Sequence, residues 1–177
     1  DYYTWERETT LAAAKYYAKE DYETSAADWL ISSPIALNAG VQYRLRFNAK
    51  SYDESYPEHV AVYLGQGKTV EAITTKLGDF EVATYDMHQY EVTFPAIAPD
   101  GNYNLGFYCH SQAPDGYILY VNDVELTAVT NGVLKGTVTD GTNPIGNAVV
   151  YIESLKISSI TDADGSFDFG EIEAGEY

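Results

Sequence analysis

The chain has 177 residues, a formal net charge of −17, seventeen tyrosines, two tryptophans and one cysteine. That length allows one sizeable core, or one core plus a smaller unit. A field this acidic repels nucleic acid and anionic membrane surfaces, which are recognised through phosphate neutralisation by Lys and Arg, and a lone cysteine excludes an internal disulfide framework. No apolar run reaches membrane-spanning length. The chain opens on Asp1 rather than Met and reads as a piece of a longer multidomain protein, with no signal peptide left to identify.

In chain order, the run Leu11 to Lys19 has the propensity of a short helix. Asp28 to Ile35 is a strand whose alternation sends Trp29 and Ile31 to one face and Leu30 to the other, so Trp29 is expected to be a packing residue covered from outside. Asn38 and Gly40 mark a turn. Tyr43, Leu45, Phe47 and Ala49 then alternate with Gln42, Arg44, Arg46, Asn48 and Lys50, the period of a half-buried strand. Strands are expected over 28–37, 41–52, 58–65, 87–96, 101–110 and 116–127. Residues 66–86 read as a long connection with weak strand character at Val70 to Thr74 and a turn at Gly78-Asp79. Tyr103, Leu105 and Phe107 repeat the earlier alternation and place Cys109 on the buried face as a core thiol. The echo between Gly40–Phe47 and Gly101–Phe107 predicts two equivalent central strands in facing sheets. Thr130-Asn131-Gly132 is polar and turn-prone, a candidate boundary between residues 1–130 and 131–177.

Three further stretches complete a recognisable order: Tyr56-Pro57-Glu58, Gly101-Asn102-Tyr103-Asn104-Leu105-Gly106-Phe107, and Ile118 to Leu126 with its Val121-Asn122-Asp123-Val124. With the Asp28-Trp29 pair, residues 1–130 resemble the cleaved-adhesin or choice-of-anchor jelly-roll domains of secreted Bacteroidetes proteins. The resemblance implies an all-β jelly-roll sandwich of galactose-binding-like or MAM-like type, appended to proteases, glycan-handling enzymes or surface anchors and serving adhesion or targeting. It also implies that the helix-prone run near the start is irregular strand and loop.

In the second unit, Leu134 to Asp140, Pro144 to Ile152, Thr161 to Phe169 and Ala174-Gly175-Glu176-Tyr177 resemble a carboxypeptidase-regulatory-like domain, a small prealbumin-like β-sandwich used as a spacer. Members of that family continue past the Gly-x-Tyr segment, so an incomplete sandwich is expected. Asp162-Ala163-Asp164-Gly165 opens like a calcium loop but lacks the closing Glu, and reads as a tight turn. Lys135 reads as an exposed strand lysine.

Reaction chemistry is not legible. His59, His88 and His110 lack zinc-ligand spacing and a supporting cysteine pair, and nucleophile-elbow, phosphate-loop and His-Glu-x-x-His motifs are missing from the sequence. The expectation is a protein without catalysis. The resemblance implies one cofactor, a structural calcium ion, at positions matching Asp28 and Asp123. The Asp- and Gly-rich loop that relatives carry ahead of the first Trp is replaced here by Asp1-Tyr2-Tyr3-Thr4, and capping roles suit the same two aspartates.

Recognition falls to loops. Ser51–Tyr56 and Gln112–Tyr117 combine aromatic rings with carboxylates, which nominates Tyr52, Asp53, Tyr56, Asp115 and Tyr117 as ligand-binding residues. The same tyrosines would equally cover strand ends. The expected function is a secreted or cell-surface adhesin-like module with a spacer, recognising extracellular protein or glycan. A carbohydrate-binding or purely architectural accessory module of a larger glycan-degrading enzyme or protease is the alternative.

Overall fold

The computed structural model describes residues 4–17, 25–95, 97, 99–113 and 116–177. Helix among them is confined to one 3₁₀ turn, Val70–Ala72, and no helix is long and apolar enough to cross a membrane. The chain divides into two compact units, residues 1–128 and 129–177.

Unit one contains β1 (Trp5–Glu8), β2 (Ala13–Tyr17), β3 (Asp28–Ile31), β4 (Ile35–Leu37), β5 (Gln42–Ser51), β6 (Glu58–Gly65), β7 (Thr75–Val82), β8 (His88–Phe94), β9 (Gly101–Cys109) and β10 (Ile118–Val129). One sheet runs β1-β2-β10-β5-β8, the other β3-β9-β6-β7 with β4 also on β9. The two face each other as a jelly-roll β-sandwich. The echo recognised in the sequence is the middle of that sandwich: Tyr43, Leu45, Phe47 and Ala49 of β5 and Tyr103, Leu105, Phe107 and Cys109 of β9 are all buried, and the Phe47 and Phe107 rings meet edge to face at 5.3 Å. Phe80 of β7 and Tyr90 of β8 also touch Phe47, at 5.2 and 5.6 Å.

Two of the local outcomes that differ from the sequence expectation have a direct physical reason, and a third outcome is the one the resemblance implies. The run 28–37 is two strands rather than one, because Pro34 has no N–H to give to a ladder. Ser32 bridges the gap: its N–H donates to the Leu105 carbonyl, its Oγ accepts from Leu105 N–H, and its carbonyl accepts from buried Asn104, at 2.9, 2.9 and 2.7 Å. Gly78-Asp79 is not a turn but the interior of β7, where the register against β6 shifts between Val62 and Tyr63. A β-bulge absorbs the glycine, and a Cβ there would collide with the Phe80 ring at 2.9 Å. At the start of the chain, β1 and β2 pair antiparallel with Trp5 opposite Tyr16, so sheet pairing overrides the helical propensity of the residues 11–17 that are described.

Trp29 takes the outer face of its sheet. Leu30 packs on the core, while the half-buried Trp29 stacks on Tyr108 at 4.7 Å and leans on Tyr63 at 5.0 Å. Gly106 makes room beneath it, since a Cβ there would lie 3.0 Å from the indole and 3.1 Å from Ile73.

Unit two contains β11 (Asn131–Thr137), β12 (Val149–Ile152), β13 (Ile157–Ile160) and β14 (Ser166–Glu173), paired as two separate two-stranded sheets, β11-β14 and β12-β13. Asp162–Gly165 is the expected tight turn, with Gly165 N–H donating to the Asp162 carbonyl at 2.9 Å and Gly165 at φ +78°. Lys135 makes an exposed ion pair with Asp168 at 2.9 Å. Ile152 is a large apolar side chain of this unit that is buried, at 9% exposure, whereas Val149 and Ile160, opposite each other across the β12-β13 pair, are both exposed.

Replacing Phe47 by Ala removes a ring that three strands pack against, and the expected cost in urea melts is about 3–5 kcal/mol. Trp29→Ala loses a half-covered ring and should cost less, about 1–3 kcal/mol by area removed from water; equal costs would contradict the inner and outer assignments. Burial pushes the Cys109 thiol up to about 12. Native protein should therefore resist thiol reagents at pH 8 and react stoichiometrically in urea.

Candidate functional site

The inward parity of β5 dictates what faces out. With Phe47 and Ala49 on the core, Arg44, Arg46, Asn48 and Lys50 must lie on the solvent side. Neighbouring strands add Lys15 from β2, opposite Tyr120 of β10, and Tyr17, opposite Ile118. Polar pairs fill much of this face: Lys15 Nζ with Glu6 at 3.0 Å, and Arg44 and Arg46 both on Glu91 at 3.1 and 2.6 Å.

One end of the face is a group of tyrosines. Tyr117 is its centre, with the Tyr52 ring at 5.0 Å, Tyr17 at 5.5 Å and Tyr56 at 6.3 Å, all edge-on or tilted. Lys50 links the group to two more rings, its Nζ lying 4.9 Å from the centre of Tyr85 and 5.2 Å from that of Tyr120. Tyr52, Tyr56 and Tyr85 are exposed by 50, 42 and 61%. Three of the residues nominated from the sequence, Tyr52, Tyr56 and Tyr117, are thus brought together, although their loops are some sixty residues apart. Asp53 stands beside them: its carboxylate accepts the Ser55 N–H at 2.8 Å and its carbonyl accepts the Tyr56 N–H at 3.1 Å. The Ser55 backbone and hydroxyl donors hold its carboxyl below the usual aspartate range. Asp115 lies outside the described residues.

Both loops are fixed from beneath. Buried Ser51 donates its hydroxyl to the carbonyls of Asp53 and Thr84, at 3.0 and 3.2 Å. Under the second loop sits Glu58, 1% exposed. Its Oε2 accepts the Ser111 hydroxyl and its Oε1 accepts the Tyr117 N–H, while Ser111 Oγ in turn accepts the His59 N–H at 2.9 Å. Gly116 crosses directly over this contact, where a Cβ would come within 2.5 Å of Ser111 Cβ. The glutamate therefore ties β6 to the backbone of the central tyrosine. Sequence reading did not single it out. The available signal was phase, since Glu58 alternates with Val60, Val62 and Leu64 on the inward face of β6. Lys50, Tyr85 and Tyr120 were likewise not nominated.

The two aspartates offered for calcium stand on different sheets, Asp28 on β3 and Asp123 on β10. Asp28 Oδ1 accepts its neighbour Trp29 N–H at 3.0 Å, and Asp123, itself at φ +48°, accepts the Asn48 side-chain amide N–H at 3.0 Å. Among the described residues no group of three or more His, Cys, Asp or Glu is placed to hold a metal ion.

The outer face of the other sheet also carries rings, Trp29, Tyr108 and His110, with Asp79 on His110 at 2.8 Å. These stack on one another at interplanar angles of 22 and 21°, which covers their faces mutually, whereas the rings around Tyr117 meet edge-on or tilted.

No family model matches the sequence, and no curated protein matches it. The fold does have solved counterparts. The K1 cleaved adhesin domain of Lys-gingipain from Porphyromonas gingivalis W83 aligns at TM-score 0.52 and 21% identity, over 66% of this chain and 73% of that one. The K3 cleaved adhesin domain of the same protein aligns at 0.50 and 19%, over 65 and 72%. An arabinose-bound α-L-arabinofuranosidase aligns at 0.50 and 13%, over 71% of this chain and 22% of the enzyme. At these identities the likeness is one of fold, the β-sandwich shared by cleaved adhesin domains.

Burial raises the Glu58 carboxyl above the ordinary glutamate range, against the two donors that favour its charge. The folded state thus holds the proton more tightly than the unfolded one. The associated stability is complete below about pH 4.3, the unperturbed glutamate value, and is lost as pH rises through the raised folded value. Glu58→Gln resembles the protonated acid, its amide oxygen taking the Tyr117 N–H and its NH₂ facing Ser111 Oγ. Urea melts should show wild type and Glu58→Gln closest at pH 4 and the variant gaining on wild type toward pH 8. A constant difference across that range would contradict the buried carboxyl's role.

Proposed function

We propose that this chain is a non-catalytic, secreted or cell-surface adhesin-like module that recognises an extracellular glycan or protein through the tyrosine group around Tyr117. In this reading residues 1–130 are the MAM-like binding domain and residues 131–177 a carboxypeptidase-regulatory-like spacer. The observation that carries it is the convergence of Tyr17, Tyr52, Tyr56 and Tyr117 from three separate segments onto one supported end of the sandwich. Rigid rings bring large contact area at little entropy cost, and their support by Ser51 and Glu58 means that little ordering remains to be done on binding. The cleaved-adhesin fold likeness is consistent with such a role.

A glycan suits this surface better than a protein. Each ring pairs an apolar face, which accepts the C–H side of a pyranose, with a hydroxyl that exchanges hydrogen bonds, and the exposed large apolar groups here are tyrosines rather than Leu, Ile or Val. A panel of immobilised neutral and acidic oligosaccharides tests the proposal. Tyr52→Ala should weaken binding of whichever glycan is retained by about tenfold, the effect of removing an interface aromatic, with the melting temperature held within a few degrees. Trp29→Ala should leave binding intact. Retention by Tyr52→Ala and loss in Trp29→Ala would move recognition to the opposite sheet.

A further inference from the structure

Cations are scarce in this protein, ten Lys and Arg against twenty-seven Asp and Glu, and their placement in unit one is uneven. Lys15, Arg44, Arg46 and Lys50 share the outer face of one sheet. Three of them are already paired with carboxylates, Lys15 with Glu6 and the two arginines with the single carboxylate of Glu91. Lys50 is the exception. Among the described residues its ammonium makes no ion pair, and it is held instead between the rings of Tyr85 and Tyr120. The carboxylates nearest in sequence and across the sheet are engaged elsewhere, Asp53 by Ser55 and Asp123 by Asn48. Tyr120 stands two residues along β10 from Ile118, which pairs with Tyr17, and Lys50 and Tyr52 share the outward parity at the end of β5, so this cation belongs to the tyrosine end and not to a separate patch.

A lone ammonium fixed between aromatic rings, on the surface that carries the exposed tyrosines, matches a ligand with one negative charge on an otherwise uncharged body. We propose, resting on the function proposed above, that the ligand is an oligosaccharide bearing a single carboxylate, and that Lys50 receives that carboxylate while tyrosine rings hold neighbouring sugars. The charge of the whole chain limits the choice further. At physiological salt, fields are screened over about 8 Å, so one carboxylate at contact meets chiefly Lys50. A polyanion of many carboxylates extends past that cation and meets the acidic remainder of the molecule. The lone carboxylate is that of a sialic acid terminus or of a glucuronic acid branch, two sources with the same recognition chemistry.

The test is calorimetric titration of the full chain with two matched pairs: 3′-sialyllactose against lactose, and glucuronosyl-xylotriose against xylotriose. One acidic member should bind at least about tenfold tighter than its neutral parent, one direct charge-assisted contact, and the pair that discriminates names the source. Lys50→Met should bring the acidic ligand to the affinity of its parent, Lys50→Arg should keep the preference, and raising NaCl from 50 to 300 mM should narrow it. Polygalacturonate should bind more weakly than the discriminating monovalent glycan. Melting curves of both Lys50 variants guard against unfolding. Equal binding of acidic and neutral members overturns the carboxylate inference while leaving the tyrosine reading in place, as does a preference that survives in Lys50→Met. Binding that is indifferent to Tyr52→Ala overturns both, and failure of both acidic glycans to bind overturns the inference outright.

Discussion

Phe47 is the contact on which the rest of unit one depends. It is fully buried on β5, meets Phe107 across the sandwich, and also touches Phe80 and Tyr90. One ring therefore fixes the relation of β5, β7, β8 and β9, which belong to both sheets. Because side chains alternate strictly along a strand, a slip of one residue would bring Arg46 or Asn48 into that position and expose the phenylalanine. The register is thus held by a large free-energy difference, and everything on the outer surface inherits its position from it.

The functional surface is a consequence of that register. Once Ala49 and Ser51 point inward, Lys50 and Tyr52 point outward at the end of β5. The loops that follow are then secured by buried polar groups instead of apolar ones: the Ser51 hydroxyl on two carbonyls, and the Glu58 carboxylate on Ser111 and on the Tyr117 backbone. An inward-facing glutamate among valines is costly to desolvate, and it leaves the central tyrosine in a determined place. Rigid support of this kind is what a weakly charged, ring-based contact surface requires, since each flexible side chain ordered on binding would subtract from affinity.

The sequence made the central strands legible because β5 and β9 each carry four inward apolar residues at every second position, and the Gly-containing turns before them set their starts. It failed at β7. There Gly78-Asp79 carries a turn signal, and only the bulge against β6 and the passage of the Phe80 ring over Gly78 explain why a strand continues through it. At the site, composition nominated Tyr52, Tyr56 and Tyr117, although loop tyrosines also cover strand ends, and their convergence is visible only in the fold. Asp53 was nominated as a contact, and its bond to the Ser55 N–H is a feature of local turn geometry that the sequence does not display. Lys50 looked like one more solvated strand lysine; its distinction, that the other cations on its face have carboxylate partners and it has rings, exists only once four strands are laid side by side.

The most direct measurement of where this molecule recognises its ligand is a ¹H–¹⁵N chemical-shift map of the full chain titrated with the tightest-binding of the four oligosaccharides. The account requires the largest perturbations at Lys15 to Tyr17, Lys50 to Tyr56, Tyr85 and Tyr117 to Tyr120, the segments that meet at the tyrosine end. Perturbations centred on Trp29, Tyr63 and Tyr108, on the outer face of the other sheet, would contradict it.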